Sequence, residues 1–197
     1  MRTILNRLSG SHRFLIVAAF IAAGTVSVAH AAVVSYAANL DGPSESPANA
    51  SPGIGFAQVD IDAVAHTMHV IVSFSGLTGT TTASHIHAAT TVAGASTAGV
   101  ATTTPTFAGF PLGVTAGSYD VTLDMTQASS YNPSFVTAHG GTTAGAEAFL
   151  FQSIADGKAY LNIHSSTFGG GEIRGFLTPS SVPASQSTWG QTKSLYR

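Results

Sequence analysis

The sequence predicts an all-β domain, an antiparallel β-sandwich with one or two short helices. Three observations carry this expectation. Several short runs alternate apolar and polar residues with a period of two, as half-buried strands do. Charged residues make up only 8% of the 197 residues, so the Glu, Lys, Leu and Arg that favour long helices are scarce or unevenly placed. Stretches rich in Gly, Pro, Ser and Asn separate the runs and supply turns. Mean hydropathy is +0.28, which excludes the low-hydropathy, high-charge composition of disordered chains.

The elements follow in order. Residues 33–40 read as the first strand, and the loop over 41–53 reads DGPSESPANASPG. In 56–61, Ala57, Val59 and Ile61 face inward. A turn over 62–66 leads to 67–74, the clearest strand: Met68, Val70, Val72 and Phe74 face in, His69 and Ser73 out. Gly76 and Gly79 bracket a turn before 82–88, which holds Ser84-His85-Ile86-His87. Residues 90–104 are small, with a short strand expected near Val100. Tyr119, Val121, Leu123 and Met125 alternate again. Asn132 before Pro133 is an N-cap followed by proline at the first helical position, predicting a short helix over 133–138. Ala146, Leu150 and Ile154 at i, i+4 and i+8 predict a second helix over 143–155, stopped by Gly157. Residues 160–177, YLNIHSSTFGGGEIRGFL, close the domain as a hairpin. There is no internal repeat of the length that builds solenoids.

The ends of the chain carry other information. Arg2, Arg7 and Arg13 precede an apolar run over 14–28, and Ala29-His30-Ala31 offers an A-x-A cleavage pattern. This reads as a secretory signal peptide over 1–31. The run is shorter than the ~20 residues a spanning helix needs. The domain is then expected over 32–178 and a flexible tail over 179–197, in a secreted or periplasmic protein with no membrane anchor. Once 1–31 is removed, four bases face nine acids, a formal charge of −5. That excludes the basic face a nucleic-acid partner requires. The chain has no cysteine, so disulfides, thiolate catalysis and cysteine zinc sites are excluded. A domain of this size buries about 68–70% of its unfolded surface and can hold its fold by its core.

The closing hairpin concentrates polar chemistry. Symmetric pairing about Phe168 sets Asn162 opposite Arg174 and His164 opposite Glu172, within the reach of cross-strand neighbours. Asn162, His164, Glu172 and Arg174 therefore form a candidate binding or structural cluster. His85 and His87 lie two apart on a strand and share a face. With His164 they form a candidate set for copper or zinc, since imidazole suits both. Glu172 is expected behind His164, accepting its second N–H. The bland alternative is a structural network, with Glu172 paired to Arg174 or His164 and no ligand. His66, His69 and His139 read as exposed, and Glu147 and Lys158 as solvated. Ser84 beside His85 lacks an evident acid, so a hydrolase triad is weak. No G-x-S-x-G, phosphate loop or dinucleotide fingerprint is present.

The order LDGPSESP, GLTGTTTASHIHAA and GKAYLNIHSSTFGGGEIRGFL resembles the CHRD domain, the module repeated in chordin and found singly in many secreted bacterial proteins. The resemblance covers 33–177. It implies an all-β sandwich, comparable in class to the immunoglobulin and superoxide-dismutase folds, and a non-enzymatic binding module. The ligand is left open among a protein, a glycan and a metal ion. The alternative reading is a periplasmic copper or zinc protein with superoxide-dismutase-like redox activity, which rests on analogy at fold level. Many bacterial relatives add a hydrophobic sorting anchor, and the tail here has none, which favours a free protein.

Overall fold

The computed structural model describes residues 33–180, so the expected signal peptide and nearly all of the expected tail lie outside the described residues. Eight strands form one antiparallel sheet: β1 (Val34–Asp41), β2 (Ile54–Asp62), β3 (Thr67–Ser75), β4 (Thr81–His87), β5 (Gly117–Asp124), β6 (Tyr160–Ser165), β7 (Ile173–Phe176) and β8 (Thr178–Pro179). The order across the sheet is β4-β6-β7-β1-β2-β3-β5, with β8 paired to β1. The fold is all-β with two short helices, as expected. Its strands run as a single sheet curled into a half-barrel, and that curl brings the inward side chains of both wings into one core.

Burial differs between the two wings. In β1, β2, β3 and β5 one face is buried and the other solvated: Ala57, Val59, Ile61, Met68, Val70, Val72, Phe74 and Tyr119 point inward. This is the period of two read from the sequence. In β4, β6 and β7 nearly every residue is buried. Ile86, Leu161, Ile163 and Ile173 fill the core on one side. The polar residues of the opposite face are also enclosed, because loops lie over them. The loop after β4 also covers that strand's free edge: Ala101 N–H donates to Ile86 O at 2.9 Å, Phe107 N–H to Ser84 O at 3.1 Å and Thr81 N–H to Val114 O at 2.8 Å.

Both helices start and stop where their caps dictate. In α1 (Pro133–Ala138) the Asn132 side chain accepts from Ser134 N–H. In α2 (Thr143–Ala155) Thr142 accepts from Gly145 N–H, and Gly157 leaves the helix at φ +67°. Ala146, Leu150 and Ile154 enter the core. Glu147, expected to be solvated, is buried instead and meets His66 Nδ1 at 2.9 Å. The short strand expected near Val100 is a single bridge from Val100 to His87.

Candidate metal centre

Strand pairing arranges the enclosed polar face as a grid. Antiparallel β4 and β6 set His85 beside Asn162 and His87 beside Tyr160. Antiparallel β6 and β7 set Asn162 beside Arg174, as the symmetric spacing predicts, and Tyr160 beside Phe176. His164 lies next to Ala83, one row further. His85, His87 and His164 thus project from the same side of two neighbouring strands. One ring nitrogen from each lies within 4.8 Å of the others. The ring centroids are 5.3–6.0 Å apart.

Each imidazole is anchored by a backbone carbonyl. His85 Nε2 is 2.6 Å from Pro105 O, His87 Nδ1 2.9 Å from Ala98 O and His164 Nδ1 3.0 Å from Gly169 O. A carbonyl only accepts, so each of these nitrogens carries the proton. The remaining nitrogens, His85 Nδ1, His87 Nε2 and His164 Nε2, are then lone-pair acceptors. All three are buried and none has a hydrogen-bond partner. Burial is the main reason that the three imidazoles titrate below the ordinary histidine value, with His87 at about 4. They are neutral at pH 7, the state that ligates metal.

The other members of the predicted cluster divide. Glu172 does not support His164. The chain turns at Gly171 (φ +135°), and the Glu172 carboxylate is carried to the loops beside the hairpin. There it accepts from Ser51 Oγ at 2.6 Å, from Thr78 N–H and from Gly79 N–H at 3.2 Å. Burial pushes its pKa up, but hydrogen bonds from Ser165, Ser51, Thr78 and Gly79 outweigh that and hold it below the usual value. Nor does Glu172 pair with Arg174. Arg174 donates to Ser44 O and Ser96 O and lies 3.8 Å from Glu45 Oε2. Its guanidinium sits 4.7 Å from the Tyr160 ring centre, and Tyr160 stacks on His87.

Glu45 was not legible as a site residue. It is buried, accepts from Asn162 Nδ2 at 3.3 Å and has one oxygen without a partner. Burial pushes its pKa up to about 7 against the lowering pull of Arg174. The available signal was an acid inside a Pro-Ser-Asn loop of a charge-poor chain. Among the remaining histidines, His69 lies on the outward face with Nε2 2.6 Å from Asp120, and His139 stacks on Phe149.

The fold and this face define an all-β module with two short helices, built around a buried polar centre. The chain matches the CHRD domain over residues 36–177 and belongs to that family. No curated protein and no solved structure matches it. Among the described residues, no helix is long and apolar enough to cross a membrane.

Proposed function

We propose that this CHRD domain is a secreted or periplasmic binding module whose ligand is a transition-metal ion, copper or zinc, held by His85, His87 and His164. One observation supports the reading. Three buried ring nitrogens lack partners, while the opposite nitrogen of each ring is fixed on a backbone carbonyl. A buried acceptor left unsatisfied costs about 1–3 kcal/mol, and three together are a large charge against a single domain. One ion satisfies all three. Ligating histidines also typically donate their second N–H to a carbonyl or carboxylate, which fixes the tautomer.

The distances suit the reading. Bonds of about 2.0–2.1 Å put nitrogens on one ion roughly 3–4 Å apart, so the present separation closes by about 1 Å of ring movement. The polar row of Glu45, Asn162 and Arg174 is read as structural support that locks the loops over the site. Titration of the metal-free protein with Cu(II) and with Zn(II) tests the proposal. One ion per chain is expected, with binding lost in His87→Ala and in His164→Ala. Equal binding by the wild type and both variants overturns it.

A further inference from the structure

The histidine trio is also informative about the charge of its ligand. Resting on the metal-binding reading, we infer that the site is built for monovalent copper, Cu(I), in three-coordinate form. The donor set is three imidazoles, and no carboxylate joins the cluster among the described residues. Neither buried carboxylate of this region is among the converging ligand atoms, although Glu45 keeps one oxygen unpartnered. Glu45 is engaged with Arg174 and Asn162, and Glu172 is held by Ser51, Thr78 and Gly79. The Arg174 cation lies over the Tyr160 ring, which also stacks on His87.

Burying an ion in such surroundings costs in proportion to the square of its charge, so a divalent ion is penalised about fourfold more than a monovalent one. Coordination number points the same way. Zn(II) takes four ligands, and a three-histidine zinc site keeps a water or substrate in the fourth position. Cu(II) prefers a tetragonal set of N and O donors. Here the three free nitrogens are buried from solvent, and among the described residues no fourth His, Asp or Glu side chain joins them. Cu(I), a closed-shell d¹⁰ ion, is satisfied by three nitrogens in a plane.

The test uses the metal-free full chain under anaerobic conditions. Cu(I) affinity is measured by competition with the chromophoric chelator bicinchoninate, and Cu(II) and Zn(II) affinities by separate chelator competition. Cu(I) is expected to bind one per chain and at least about 100-fold tighter than Cu(II). A 100-fold preference raises the site's one-electron potential by roughly 120 mV, at 59 mV per tenfold. X-ray absorption of the Cu(I) form should count three nitrogen neighbours. His164→Gln, checked for folding by circular dichroism, should lose Cu(I). Cu(II) or Zn(II) binding as tight as Cu(I), or four ligands in the absorption spectrum, overturns the inference and leaves the metal-binding reading in place. Binding of no ion at all overturns both.

Discussion

Replacing Glu172 by Gln separates two roles that the sequence runs together. In the fold, the Glu172 carboxylate is fully buried and joins three segments: the loop before β2 through Ser51, the turn before β4 through Thr78 and Gly79, and its own hairpin. Every contact is a donor pointing at a carboxylate oxygen. Gln keeps the shape but turns one acceptor into an NH₂ group, which then faces a backbone N–H or a hydroxyl. A hydrogen bond to a charged group contributes about 1.5–3 kcal/mol, and a buried donor left unpaired costs about 1–3 kcal/mol. Together these set the expected loss at about 3–4 kcal/mol, a large part of a typical domain's stability. Urea unfolding at pH 7 measures it, as a fall in midpoint with an unchanged slope. Metal affinity of the folded variant should stay within a few-fold of wild type, since His164 is anchored on Gly169 O. A loss below about 1 kcal/mol would refute the reasoning. So would intact stability with abolished metal binding, which would return Glu172 to the side of His164.

Other outcomes follow from the same network. Glu45 titrates near pH 7 when folded and at an ordinary 4.5 when unfolded, so its contribution is fully present below pH 4.5 and is lost as pH rises through 7. Glu45→Gln should therefore gain stability relative to wild type between those values, by up to about 3 kcal/mol at 1.36 kcal/mol per unit; a flat difference across pH 4.5–8 contradicts this. His87 has the opposite sign. Its folded value of about 4 lies below the usual 6.5, so the unfolded chain takes up the proton first and stability falls as pH drops through that window. The fall should be clearest in the Glu45→Gln background and shallower in Glu45→Gln/His87→Phe, where the lowered His85 and His164 still contribute, both followed by urea midpoints; equal slopes in the two backgrounds contradict this. Gly171→Ala should cost at least about 2 kcal/mol, because a Cβ there meets Asn162 and Glu45 atoms at 2.5–2.7 Å in a backbone held at φ +135°; thermal melting within a degree or two of wild type would count against the packing described.

Much of the fold was legible because its signals are local. Alternation placed Met68, Val70, Val72 and Phe74 inside, Asn132-Pro133 marked a helix start and Gly157 a helix stop. The hairpin register was readable up to Asn162 and Arg174. It failed at Glu172, because extrapolating a strand assumes that the backbone stays extended, and Gly171 does not. Glu147 was misread for a different reason. Its neighbours in the helix are small or apolar, and only the long-range approach of His66 explains its burial. The histidine trio was found from spacing, but its anchors were not. Pro105, Ala98 and Gly169 act through their carbonyls, and no side-chain pattern records where a backbone oxygen points. Glu45 was missed because it lies 129 residues from Arg174 in sequence and nothing local links the two.

The measurement closest to the central claim is two-bond ¹H–¹⁵N correlation of the histidine rings, before and after one equivalent of Cu(I). In the metal-free protein, His85 should be protonated at Nε2, and His87 and His164 at Nδ1. On adding the ion, the large ¹⁵N shifts should fall on His85 Nδ1, His87 Nε2 and His164 Nε2, with His66, His69 and His139 unmoved. A protonated Nε2 on His87 or His164 in the free protein, or shifts confined to the other histidines, would contradict the account.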